Sequence, residues 1–174
     1  MTDSPQKTNQ RKKNAPLLGI DPGYDRLGWA VGTPVGNNWE NLIYGCIETP
    51  KEMKLFDRYK ILNIELKKII KLYKPETAII ESLFFFKNQK TALKVSEARG
   101  VILSTCFSKN MKLFEFTPLQ IKQAVTGYGR ADKKAVEKMV RLQLKLGSQK
   151  IIDDAIDALA VMMTYQTQRK LLEL

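Results

Sequence analysis

Residues 77–81, TAIIE, place Ala78, Ile79 and Ile80 in a row with no polar side chain between them. A strand with one solvated face alternates apolar and polar residues, so a continuous apolar run fits a strand covered on both faces. The segments on either side have helical periodicity. Leu55, Tyr59, Leu62, Leu66, Ile69 and Ile70 recur every three or four residues within 51–73, and a second helical segment runs from 88 to about 109. Lys74-Pro75 ends the first, because proline disfavours helical geometry in the residue before it. A buried strand between amphipathic helices commits the chain to a layered α/β architecture.

Three strands precede TAIIE: PLLGID at 16–21, WAVGTP at 29–34 and NLIYGCIET at 41–49. The last two are separated by the hairpin signal Gly36-Asn37-Asn38. KLFEF at 112–116 is a fifth strand, and Thr117-Pro118 supplies an N-cap and a first-turn proline for a short helix ending at 125. GYGRAD then makes a turn, and helices follow over 133–146 and from 151 to 165 or beyond. Consecutive strands form an antiparallel meander, whereas strands joined through helices add parallel crossovers. The expectation is one α/β domain over 16–174: a mixed five-stranded sheet flanked by helices. Residues 1–15 are polar and basic, with the composition of a disordered leader.

The chain carries 29 Lys and Arg against 18 Asp and Glu, a net charge of +11. That excess favours a polyanionic partner, most often nucleic acid. No apolar run approaches the roughly 20 residues that span a bilayer, and the first residues lack the apolar stretch of a signal peptide. A cytoplasmic protein with no membrane partner is expected, with Cys46 and Cys106 as buried, reduced thiols. Histidine is absent. Ser-His-Asp and Cys-His nucleophile activation and His-ligated zinc are therefore excluded, leaving carboxylates, Lys, Tyr or water for acid–base or metal chemistry.

Carboxylates are arranged for such chemistry. Asp21 ends the first strand and Glu81 the fourth, and in open α/β sheets the carboxyl ends of strands converge on one crevice. Asp before Pro-Gly is also an ordinary turn residue. In IIDDAIDALA, Asp153, Asp154 and Asp157 punctuate an otherwise apolar helix. At about 100° per residue, Asp153 and Asp157 lie about 40° apart, and Asp154 and Asp157 about 60°. A solvated acidic first turn would explain them, but a divalent cation explains them better, since it offsets charge on a helix packed against the sheet. Two Mg²⁺ ions roughly 4 Å apart could activate water and stabilise a leaving oxygen in phosphodiester hydrolysis.

Basic residues complete the picture. Between Lys112 and Lys150 there are nine against three acids, among them Lys122, Arg130, Lys133 and Lys134. Lys134, Lys138, Arg141 and Lys145 recur at helical spacing, a stripe suited to phosphate neutralisation. Gly127 and Gly129 would let the backbone approach phosphates closely.

GIDPG, IIESLFFFKN with ALKVSEARG, FEFTPLQIKQAVTGYGRADKKAVEKMV and DDAIDALA occur in this order over about 17–165. Together they resemble the RuvC family of Holliday-junction resolvases. The resemblance implies an RNase H-like fold and a homodimer that nicks two strands of a four-way DNA junction symmetrically, with Mg²⁺ or Mn²⁺, in recombination and repair. It implies Asp21, Glu81, Asp154 and Asp157 as catalytic, metal-binding acids and Phe84 as the aromatic that meets unstacked bases. Lys122 and Lys133 take the places of the family's functional lysines. A branch-migration helicase complex and association with the bacterial nucleoid are further implications. The chain departs from the pattern in Phe85 and Phe86, which follow Phe84, and in the extra acid Asp153. Two other readings stand beside this one: a non-catalytic junction-binding protein of the same fold, and an actin-like or sugar-kinase fragment suggested by GIDPGYDRLG.

Overall fold

The computed structural model describes residues 15–83 and 89–172. The first three strands are β1 (Leu17–Asp21), β2 (Arg26–Val35) and β3 (Asn38–Glu48). Then come α1 (Leu55–Tyr73), β4 (Thr77–Glu81), α2 (Gln89–Phe107) and β5 (Lys112–Phe116). Three helices close the chain: α3 (Pro118–Thr126), α4 (Lys133–Gln143) and α5 (Asp153–Leu172). The five strands form one sheet in the order β3-β2-β1-β4-β5, antiparallel through the meander and parallel from β1 to β4 and β5. This is the mixed sheet that the hydrophobic pattern predicts.

Alternation of side chains across the sheet sorts the core into two layers. Leu18, Ile20, Ala78 and Ile80 face α1 and α2, while Leu17, Ile79 and Phe116 face α3, α4 and α5. On the second face, Ile156, Leu159 and Met162 of α5 are almost wholly excluded from solvent. Burial of each such side chain contributes about 1.5–3 kcal/mol, which anchors α5 across the sheet. Both cysteines are free and burial raises both thiols, Cys106 to about 12 and Cys46 to about 11. Among the described residues no helix is long and apolar enough to cross a membrane.

Several boundaries differ from the sequence reading. β2 and β3 pair down to Val35 and Asn38 around a two-residue turn with Gly36 in the left-handed region, so both strands are longer than predicted. α1 begins at Leu55 because residues 50–53 form a turn closed by a Met53 N–H to Pro50 carbonyl bond. α4 stops at Gln143, and Lys145 is left-handed, so Lys145 does not extend the predicted basic stripe. Thr117 caps α3 in a reciprocal capping box with Gln120, as Thr117-Pro118 predicted.

Candidate active site

Register places the first two carboxylates. Ile20 pairs with Ile80 at the end of the β1–β4 ladder, so Asp21 and Glu81 follow side by side at the carboxyl ends of adjacent parallel strands. Two positions separate Asp21 from Gly19 and Glu81 from Ile79, so both acids point to the face that α5 covers. α5 comes unusually close there. A Cβ on Gly19 would collide with the Ala158 carbonyl, and one on Gly28, the β2 partner of Asp21, with the Asp154 carbonyl. The two missing side chains bring the first turn of α5, with its acids, over the strand ends.

The carboxylates feel one another strongly. Burial raises Asp21 well above the usual carboxylate range, and the charges of Glu81, Asp157 and Asp154 add to the rise. Glu81 is itself raised by burial and by Asp157, while Asp21 beside it and the charges of Lys122 and Lys133 draw it back. Burial also raises Asp157 despite Lys133. Lys133 Nζ lies 3.1 Å from Asp157 and 3.4 Å from Asp153. Burial works against that ammonium's charge, yet the two aspartates hold its proton more tightly than usual. Arg26 Nη1 stands 3.7 Å from Asp154.

Asp153 thus differs from its neighbours. Its side chain is 70% exposed and its near partner is Lys133. Asp154 and Asp157 act on Asp21 directly. Asp157, Glu81, Lys122 and Lys133 also line a cleft of about 240 Å³ walled by Pro118, Ile121, Val136, Ala160 and Val161.

As they stand, no three acidic or thiol side chains among the described residues enclose a point at metal-ligand distance. Asp21 and Glu81 bond each other, and Lys133 reaches across to the α5 acids. The donor chemistry nevertheless suits a hard divalent cation. Asp21, Glu81, Asp154 and Asp157 offer only oxygen, and their mutual repulsion would be relieved by positive charge.

Of the basic residues predicted from sequence, Lys122 and Lys133 line this cleft. Lys122 is half-buried on α3, whereas Arg130, Lys133 and Lys134 are exposed at the start of α4. Arg141 leaves the predicted stripe: it pairs with Glu137 at 2.9 Å and donates to the carbonyls of Gly147 and Gln149, tying down the loop before α5. Phe84, Phe85 and Phe86 lie outside the described residues, as do residues 1–14 of the predicted leader.

Arg58 is a residue that sequence reasoning passed over. Its buried guanidinium donates to Thr49 Oγ1 at 2.9 Å and the Tyr24 carbonyl at 3.3 Å and pairs with Asp25, clamping the turn that follows Asp21. The signal was present, since Arg58 falls inside the apolar face of α1 beside Tyr59 and Leu62. Arg26 carried no comparable signal, because only the packing of α5 on β2 brings it to Asp154.

A mixed sheet in this strand order, with acids at the ends of β1 and β4 and more on the helix crossing them, defines an RNase H-like nuclease fold. The family model described as "Crossover junction endodeoxyribonuclease RuvC" matches residues 17–165. The chain belongs to the RuvC family. It is 47% identical over 145 residues to the protein of that name from Thermosipho melanesiensis, covering 83% of this chain and 92% of the relative. To the one from Petrotoga mobilis it is 46% identical over 154 residues, 88% of this chain and 94% of the relative. Among solved structures it is similar to Thermus thermophilus RuvC in complex with Holliday junction substrate. That match has a TM-score of 0.84 and 27% identity, covering 91% of this chain and 96% of that one.

Proposed function

We propose that this chain is a metal-dependent endodeoxyribonuclease that resolves four-way DNA junctions as a homodimer, in recombination and repair. The observation that carries this reading is the convergence of Asp21, Glu81, Asp154 and Asp157 beside a cleft holding Lys122 and Lys133. The four carboxylates would hold Mg²⁺, most simply two ions, with Mn²⁺ able to substitute. When bound, such ions lower the pKa of a water and neutralise charge on the leaving oxygen. The remaining work belongs to the chain. Ligation needs Asp21 and Glu81 in their ionised forms, which bound cations would favour. Lys122 and Lys133 put positive charge in the cleft, where a phosphate gains negative charge in the transition state. Arg130, Lys134 and Lys138 neutralise flanking phosphates, which makes binding strongly salt-dependent. Arg58 keeps the turn behind Asp21 in place. Phe84 takes the base-contacting role of the family pattern.

The test compares a synthetic four-way junction with its linear duplex, in Mg²⁺ and in EDTA. Cleavage of the junction alone, in Mg²⁺ alone, is expected. Binding without cleavage would favour the non-catalytic alternative, and ATP hydrolysis the kinase-like one. The acids of α5 are separable in the same assay. Asp154→Asn is expected to slow cleavage by about 10²-fold or more, at roughly 1.4 kcal/mol per tenfold, whereas Asp153→Asn slows it less than about tenfold. The reverse ranking would make Asp153 the ligand.

The homodimer has a candidate face. Between α1 and α2 runs a groove of about 670 Å³ lined by Phe56, Lys60 and Asn63 on one side and Glu97, Gly100 and Ser104 on the other. Along α2, Leu93 is 76% and Phe107 61% exposed, each seven residues from Gly100. Antiparallel pairing of two α2 helices across Gly100 would set Leu93 of each copy against Phe107 of the other, a self-complementary contact of the kind a two-fold axis requires. The nuclease domain is taken as 16–174, with residues 1–15 as a separate basic leader. A cytoplasmic, nucleoid-associated setting with a branch-migration helicase completes the proposal.

A further inference from the structure

The turn between α3 and α4 holds an aromatic ring out to solvent on a fully tethered backbone. Tyr128 is 62% exposed. Its N–H donates to Thr126 Oγ1 at 3.1 Å, and its carbonyl accepts from the Ala131 N–H at 3.0 Å. Gln123 holds both neighbours, donating from Nε2 to the Gly127 carbonyl at 2.8 Å and accepting the Gly129 N–H on Oε1 at 2.9 Å. Gly127, left-handed at the end of α3, returns its N–H to the Gln123 carbonyl. Two α3 side chains are thus committed to the position of one turn. Gly129 lies against Leu119, which follows the cleft residue Pro118 in the first turn of α3, so the turn that carries Tyr128 adjoins the element that walls the cleft.

The surroundings indicate what the ring meets. Arg130, Lys133 and Lys134 follow directly and are exposed, and the one acid of the turn, Asp132, is spent capping α4 through the Ala135 N–H at 2.7 Å. Two exposed apolar side chains, Tyr128 and Leu119, are far too small a patch for a stable protein partner. A flat ring among cations suits a nucleobase whose phosphates the cations attract. Because the turn is already ordered, stacking sacrifices little conformational entropy.

We propose that Tyr128 is a stacking platform for an unpaired or unstacked base of the junction, beside the cleft that Lys122 and Lys133 line. This rests on the junction-nuclease reading and adds a substrate contact to it. Tyr128→Ala is expected to weaken junction binding by about 5- to 150-fold, the range for loss of one base–aromatic stack. Tyr128→Phe and Tyr128→Trp should stay within about twofold of wild type, and Tyr128→Leu should behave like alanine. The slope of affinity against salt should not change, since no phosphate contact is lost. A 2-aminopurine scanned around the branch point should show one position quenched by wild type and not by Tyr128→Ala.

Three results would overturn the platform in a protein that still cleaves junctions. They are wild-type affinity in Tyr128→Ala, full affinity in Tyr128→Leu, or a loss in Tyr128→Phe, which would mean a hydroxyl contact instead. A wild-type protein that neither binds nor cuts junctions in preference to duplex fails at the parent reading, which the same binding series reveals before any variant is compared.

Discussion

Asp21→Asn should lower the single-turnover rate of junction cleavage in Mg²⁺ by about 10³-fold or more, a loss of about 4 kcal/mol of transition-state stabilisation. Junction affinity in EDTA should stay within about threefold of wild type, because the change is nearly isosteric and leaves the basic residues Lys122 and Lys133 of the cleft untouched. The same variant should be more stable than wild type in EDTA. Asp21 is raised by burial and by Glu81, Asp157 and Asp154, so its ionised form is disfavoured in the folded protein. A carboxyl whose folded pKa exceeds its unfolded value contributes stability that is complete below the unfolded pKa, near 4. That contribution is lost as pH rises through the folded value. At neutral pH asparagine avoids this cost of about 1–3 kcal/mol, worth about 2–4 °C of melting temperature per kcal/mol in a chain of this size. Calorimetry at pH 7 and pH 4 checks the sign, with the advantage of the variant shrinking at the lower pH. Retained cleavage would remove Asp21 from the metal site. A lower melting temperature at pH 7 would show that its neighbours do not oppose its charge.

Gly100→Glu is expected to break the proposed dimer into monomers at micromolar concentration, halving the mass measured by light scattering. The folded chain should tolerate the change, since a Cβ at Gly100 meets nothing within 4 Å. Replacing a mid-helix glycine gains about 0.5–1 kcal/mol, and repulsion between Glu97 and the introduced carboxylate costs a few tenths, so α2 itself should not weaken. Across the two-fold axis, however, two new carboxylates would face each other between the Leu93–Phe107 contacts. On a supercoiled plasmid with an extruded cruciform, wild type should linearise the circle by paired incision. The monomeric variant should leave mostly nicked circles, because its two cuts are no longer made in one encounter. A dimer that persists in Gly100→Glu would move the interface away from α2.

Much of this architecture is legible without coordinates. TAIIE must be covered on both faces, the helical segments around it supply the cover, and Gly36-Asn37 can only turn a hairpin. Asp21 and Glu81 can be read as strand-end acids, and Thr117-Pro118 as a helix start, because these signals act over a few residues. Side-chain commitments are less legible. Arg141 and Lys145 have the spacing of a basic stripe, yet one is consumed by the carbonyls of the following loop and the other lies past the helix end. Nothing local records that competition. Arg58 shows the converse, a charge on an apolar face whose reason, the turn behind Asp21, is far away in sequence.

Asp153 and Asp154 separate the two kinds of information most clearly. Helical angles by themselves favour Asp153 as the companion of Asp157, since about 40° is less than about 60°. That angle is measured about the axis of an isolated helix and contains no sheet. In the folded chain Gly19 and Gly28 let α5 settle so closely that Asp154 comes over β2 and toward Asp21, while Asp153 is turned out to Lys133. Sequence alone determined that acids, lysines and strand ends would be present, because composition and periodicity are local. Which acid meets which was decided by tertiary packing, because the depth and rotation of α5 on the sheet depend on contacts between residues more than a hundred positions apart.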